Sequence, residues 1–351
     1  MGQTMSIFFK SRNSEPPAMP LEGVLGPNSL LDEAPSFSIE KPDALAVAAD
    51  GCLLISTGPS VWSLGRWGEE PRQRFSLSCR VTALAASPGG QIAVGLETGE
   101  VHVYDMAQDQ PAWTVPAPSG NSPAADCIFL REDKLAVVRS GYASVHDALA
   151  RSPWETAQGG AVTGHSRNGM TRVMAGGLAC PMGICRDDRG DLIITEMVTA
   201  CVIEPSGRVR GTGFPAYIGR IRKTQKGYLL ACLSRRDPLI EFLRTEQDFV
   251  KDMKKIIDPR HWISPRTTPE FSHEFPIELG ATRLFGEIKP WAPSFSYGLL
   301  VKLDKDLMPQ GSAQSRANGR QHAISDAIVW NGDIIAVSQA SGEILNLGSW
   351  A

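Results

Sequence analysis

The sequence predicts an all-β fold, a six-bladed β-propeller, and three observations carry the prediction: a recurring hairpin unit, a composition rich in turn formers, and a length suited to one closed ring. Each unit is a short apolar run, a turn built on variations of Asp-Gly, and a second apolar run. It reads DALAVAADGCLLIST from Asp43, VTALAASPGGQIAVG from Val81, DCIFLREDKLAVVRS from Asp126 and MGICRDDRGDLIITE from Met182. It returns as IGRIRKTQKGYLLACL from Ile218 and ISDAIVWNGDIIAVS from Ile324. Six copies at roughly 40- to 60-residue spacing, allowing for insertions, mark a radial repeat in which each unit is one four-stranded blade.

The hairpins follow from local chemistry. Apolar runs of about four to six residues on either side of a tight turn make two strands covered on both faces. One blade cannot cover its own faces, so blades stack face to face, and closing the ring leaves only short edges. A composition of 42% hydrophobic residues with 34 Gly, 25 Pro and 8 Trp suits such a protein and favours one large domain. Residues 1–40 are expected to form an N-terminal arm that wraps the ring or supplies its closing strand, and residues 41–351 the propeller.

One stretch breaks the rhythm. In the insertion at about 240–285, Phe242, Phe249, Met253 and Ile256 fall at spacings of seven, four and three, a helical stripe that Pro259 ends. A short helical insertion between blades five and six is therefore expected, either covering one end of the ring or capping a ligand channel.

Charge and cysteine content exclude several classes. The 35 basic and 38 acidic residues leave a net charge of -3 with no long basic block, so nucleic acid is not expected as a partner. The seven Cys sit mostly in apolar strand runs and read as reduced core residues of a cytoplasmic protein. MGQTMSIFFKSRNSEPP has only a four-residue apolar stretch and no cleavage pattern, so neither a signal peptide nor membrane association is expected. GGAVTG and GRVRGTG lack the strand–glycine–helix setting of a phosphate loop, and no Gly-x-Ser-x-Gly elbow occurs. Cys180 and Cys185 have no second pair to complete a zinc site, and His146, His165, His261 and His273 show no ligand spacing.

The stretch GGLACPMGICRDDRGDLIITEMVTACVIEPSGRVRGTGFPAYIGRI, with APSFSYGLLVKLDKDLMP and AISDAIVWNGDIIAVSQASGEI, resembles the strictosidine-synthase-like branch of the six-bladed propellers, relatives of the senescence-marker/gluconolactonase and paraoxonase groups. In the metal-dependent relatives an acidic residue of blade one, an Asn of a Pro-Asn-Gly motif and an Asp-Asn pair hold a hard divalent cation at the channel mouth through oxygen ligands. Here Asp43 stands at the acidic position, Met182 at that of the Asn, Gly219-Arg220 at that of Asp-Asn, and Ala125-Asp126 at the Asn-Asp position of blade three. A thioether, a bare glycine and a guanidinium replace oxygen ligands poorly, and an Arg repels a cation. The expectation is a protein with no metal or other cofactor, in which Arg220 takes the cation's place and pairs with Asp43 and Asp126.

The resemblance then implies a metal-independent enzyme acting at the channel mouth on a compact polar small-molecule substrate, by ester or lactone hydrolysis or by carbon–nitrogen bond chemistry. Glu196, Asp326 and His322 are its candidate proton carriers. Asp43, Asp126, Met182, Arg220, Tyr217 and Tyr297 are the candidate substrate-binding residues, Arg220 orienting an anionic group or simply pairing with Asp43. Each of these residues also has a plain structural reading, as a paired charge or as aromatic packing between blades. Two alternatives stay open: a noncatalytic ligand-binding or interaction propeller, and a lactonase that keeps a divalent metal.

Overall fold

The computed structural model describes residues 21–105, 108, 110–120, 122–156, 159–269, 283–284, 287–288 and 295–350. Six four-stranded antiparallel sheets form the blades of a six-bladed propeller, and 46% of the chain is strand. The innermost strands, in ring order, are Pro42–Val47, Val81–Ala86, Ala124–Arg131, Pro181–Arg186, Ala216–Lys223 and Ile324–Trp330. Each is the first strand of one repeated hairpin, and each pairs with the second strand of that hairpin. The turn of the last hairpin shows why: Asn331 and Gly332 take φ of 51° and 89°, the positive pair that a two-residue turn between twisted strands requires.

The core lies between blades. Leu54, Val61 and Phe75 of blade one meet Leu84, Ile92 and Tyr104 of blade two, where Phe75 and Tyr104 stack at 4.4 Å. Blades six and one close through Leu45, Ile55, Ile335 and Val337, all at most 1% exposed. With both faces of each blade covered, the strands run apolar without alternation, as the burial of Leu53–Thr57 illustrates.

The ring closes with a strand from the other end of the chain. Ser36–Ser38 pairs with Glu343–Asn346 as the outer strand of blade six, matching Phe37 to Ile344. Ahead of it, the helical turn α1 (Leu30–Glu33) drops Leu31, fully buried, into the core of blades five and six. Asn28 bonds the Ser312 carbonyl at 2.8 Å and accepts from Gln314 N at 2.9 Å. The described part of the expected arm thus straps blade five to blade six; its first twenty residues lie outside the described residues.

Helix α2 (Val145–Arg151) connects the second and third strands of blade three. In the insertion the chain forms two helices, α3 (Pro238–Thr245) and α4 (Gln247–Ile256), where one stripe was expected. It leaves from Gly227–Arg235 and returns as Gly298–Asp304, both strands of blade five, so in chain order it is set within that blade, ahead of blade six. Its inward residues are Ile240 and Met253, packed with Trp154, Trp262 and Phe295. Phe242 and Ile256 of the expected stripe are instead 59% and 77% exposed: the break at Glu246 puts Phe242 on a different helix from Phe249 and Met253, and Ile256 is the last residue of α4. Among the described residues no helix is long and apolar enough to cross a membrane.

Candidate functional site

All six inner strands carry a register irregularity near the same end: between Pro42 and Leu45, Val81 and Ala83, Ala124 and Asp126, Pro181 and Gly183, Ile218 and Ile221, and Ile324 and Asp326. A bulge releases a residue from the ladder and re-aims its groups. Asp43, Thr82, Ala125 and Ser325 lie in four of these bulges, and their main-chain carbonyls converge on one guanidinium, that of Arg220 from the bulge of blade five.

Every donor of Arg220 is used. Nε and Nη2 donate to the Ala125 carbonyl at 3.1 and 2.9 Å, and Nη2 also donates to the Thr82 carbonyl. Nη1 is shared among the Asp43 carbonyl, Asp43 Oδ1 and the Ser325 carbonyl, each at 3.0 Å. Asp43 takes a second cation on its other oxygen, Arg80 Nη2 at 3.1 Å. Burial works against the charge on Arg220, yet the attraction of Asp43, Asp326 and Asp126 outweighs it and raises the Arg220 pKa above its usual value.

One layer deeper, Arg222 lies two residues along the same strand and therefore on the same face. Its Nη1 and Nη2 clasp Asp126 at 2.7 and 2.9 Å, and Nη2 also reaches Asp326 Oδ2 at 2.9 Å. Both carboxylates are fully buried and stitch neighbouring blades: Asp126 accepts from Ile184 N at 3.0 Å, and Asp326 from Leu45 N at 3.1 Å. Two arginines and three aspartates thus fill the channel axis in two layers. Sequence reasoning does not single out Arg222, although IGRIRK puts two cations on one face of an otherwise buried strand, which is a readable signal.

Strand approach at this point depends on Gly183. A Cβ there would lie 2.7 Å from Arg220 Cα, so the inner strands of blades four and five come this close only because the residue has no side chain.

Above Arg220 lies a cavity of about 290 Å³, floored by Asp43, Met182 and Arg220 and walled by Arg80, Tyr142 and Gln339. The insertion contributes Thr267 and the loop before α2 contributes Ser144, so both additions to the ring border the mouth. Arg80 and Gln339 both line this cavity, and each has one buried donor, Arg80 Nε and Gln339 Nε2, without a hydrogen-bond partner among the described residues. Nothing in the sequence marks them, because they come from the ends of blades one and six.

Of the sequence-predicted substrate-binding residues, Asp43, Met182 and Arg220 border the cavity and Asp126 lies beneath it, sealed by Arg222. Tyr217 is fully buried, its hydroxyl on Glu241 at 3.2 Å and Arg236 over its ring. Tyr297 bonds Gln314 at 2.7 Å on the side of blade five. The candidate proton carriers are elsewhere and engaged. Glu196 accepts from Ala179 N at 2.8 Å and Thr199 Oγ1 at 2.9 Å. His322, fully buried, sits between Ser296 Oγ at 2.7 Å and the Arg316 carbonyl at 2.8 Å, and burial lowers its pKa. Asp326 is held by Arg222.

The divalent cation implied by the family resemblance does not fit these residues. The convergent carbonyls face a guanidinium rather than an open position, and a cation among them would stand about 3 Å from the Arg220 charge. Among the described residues no three His, Cys, Asp or Glu side chains are grouped to hold a metal ion.

No family model matches the chain, and no curated protein matches it. Solved structures match in fold. A gluconolactonase-like protein aligns with a TM-score of 0.52 at 11% identity, over 89% of this chain and 92% of its own. A protein of unknown function from Bacteroides caccae aligns at 0.45 and 12% identity, over 80% and 84%. The β-propeller domain of Cps50 (Swd1) from Myceliophteria thermophila aligns at 0.48 and 11%, over 89% and 97%. At such identities the likeness extends to the fold alone.

Proposed function

We propose that this chain is a metal-independent ligand-binding propeller, and that the cavity above Arg220 holds a compact carboxylate or other oxyanion without turning it over. One observation carries the reading. The channel-mouth carboxylate, Asp43, is neutralised from both sides by Arg220 and Arg80, while two residues lining the same cavity, Arg80 and Gln339, each carry a buried donor, Nε and Nε2, without an acceptor among the described residues. A buried donor without a partner costs free energy that an acceptor oxygen of a ligand returns. At the exposed rim Lys41 is offset by Glu40, 3.6 Å away, and by Glu97. The gluconolactonase-like neighbour shares the scaffold, and scaffolds of this kind host binders as well as enzymes.

The catalytic reading, with lactone or ester hydrolysis or carbon–nitrogen chemistry, needs a proton-moving group at the bound ligand. Glu196, Asp326 and His322 do not border the cavity; Asp43 does but is held by two arginines, and His146 and Glu97 border it from the exposed rim. The seven free thiols support a reducing compartment such as the cytoplasm.

The test is calorimetric titration with gluconate, succinate and citrate, beside turnover assays with gluconolactone and phenyl acetate. Saturable binding weakened about tenfold or more by Gln339→Leu, with no turnover, is the expected result. Turnover abolished by His146→Ala would replace this reading with an enzymatic one. A rise in melting temperature on adding Ca²⁺ would restore the metal-dependent reading.

A further inference from the structure

A second concavity lies between blades three and four at the hairpin-turn ends of their strands, away from the channel mouth at the starts of the inner strands. It encloses about 710 Å³, and four cations line it: Arg131, Lys134, Arg172 and Arg186. Among the described residues no carboxylate lines it. Arg186 is fixed in place by carbonyls alone, donating to Gly190 O at 2.8 Å and Leu130 O at 2.9 Å. Among the described residues Arg131, Lys134 and Arg172 make no ion pair, although the chain carries more acids than bases and most of its other buried or half-buried arginines are paired. Four unneutralised cations at one spot repel one another, an arrangement that an anionic partner relieves.

The rest of the lining is apolar and adaptable. Met174 and Leu192 form the floor, and Met170, 61% exposed, stands at the edge. Methionine at a surface groove conforms to varied apolar side chains. Met170 leads into Thr171–Leu178, the outer strand of blade three, whose far edge no strand covers among the described residues. An uncovered edge accepts extended chain.

We propose that this groove docks an acidic segment of a partner protein, several Asp or Glu residues around one apolar side chain. The carboxylates meet Arg131, Lys134, Arg172 and Arg186, and the apolar side chain enters between Met170 and Met174. A peptide fits better than a nucleic acid because the groove gathers four cations at one spot on a net-negative chain, whereas a long polyanion needs a continuous basic track.

Fluorescence anisotropy tests this with the whole protein and a short labelled peptide of Glu and Asp around a central Leu. Saturable binding that weakens as salt rises, and falls at least about tenfold in Arg131→Glu/Arg172→Glu, is expected. Both side chains are exposed, so the variant keeps its fold, which its melting temperature verifies. Replacing the central Leu by Ser, or Met170 by Ser, weakens binding further. Three results overturn the proposal: no saturable binding at low salt, binding indifferent to the charge reversal, or equal affinity for a DNA oligonucleotide.

Discussion

Arg220 Nη1 donates at 3.0 Å both to the main-chain carbonyl and to the carboxylate of Asp43, so one residue of blade five holds one residue of blade one by backbone and side chain together. The pair crosses the central channel and lies at most 6% exposed on either side. Removing one partner of such a pair strands the other charge in a dry setting.

Arg220→Met is therefore expected to destabilise the fold by about 3–5 kcal/mol. Arg220→Lys is expected to rescue little of this, since an ammonium cannot address the four bulge carbonyls at once. Urea unfolding of the three proteins, at unchanged slope, measures both.

Arg222→Met is expected to cost a similar amount, about 3–5 kcal/mol, because it takes from Asp126 its bidentate partner and from Asp326 its nearest cation. The double variant Arg222→Met with Asp126→Asn recovers part of the loss if the ion pair, rather than the shape of the arginine, is what holds the layer. A double-mutant cycle in urea reads this directly.

Gly183→Ala tests the close approach of blades four and five. The added methyl meets main chain at 2.7 and 2.8 Å, so a strand has to move, at a cost of about 1–3 kcal/mol. The same substitution at Gly190, whose Cβ would meet open space but whose φ is 85°, is destabilising through backbone strain alone. Thermal melts of the two variants, combined with ligand titration, separate the effects: only Gly183→Ala displaces Arg220 and disturbs the mouth.

His165 supplies a pH dependence. Burial, with Arg139 adding to it, pushes its pKa down to about 4 from an ordinary 6.5. The folded state thus prefers the neutral ring, held between the hydroxyls of Thr163 and Thr171. A depressed pKa contributes stability that is complete above the unfolded value and is lost as pH falls toward the folded one, so the loss runs from about pH 6.5 to about pH 4. His165→Gln is expected to flatten that part of the stability curve. Parallel urea titrations at pH 7 and pH 5 check it, and equal slopes for both proteins would refute it.

The strap offers a fourth structural test. Leu31→Ala empties a fully buried position between blades five and six and is expected to cost about 2–5 kcal/mol, as much as a central core residue, although it comes from outside the repeats.

What the sequence by itself determined is what local chemistry governs. Each hairpin carries its own apolar runs and turn, six repetitions of it define the ring, and the insertion after Ile240 is visible where the period fails. Arg220 stands out for the same reason, as a charge inside an apolar strand. The tertiary structure decided everything that depends on closure. Carbonyls of Asp43, Thr82, Ala125 and Ser325 converge because four bulges from distant stretches of chain face one axis, and a main-chain group leaves no mark in the residue pattern. Glu196, His322 and Asp326 look free in the sequence, yet each finds partners from residues that only the closed ring or its connecting loops bring near. Phe242 shows the converse: its spacing from Phe249 and Met253 is helical, but the break at Glu246 puts it on a separate helix, where it is exposed. Periodicity reports which residues share a face over a few turns or strands, and the partner that face meets is set by chain closure over tens to hundreds of residues.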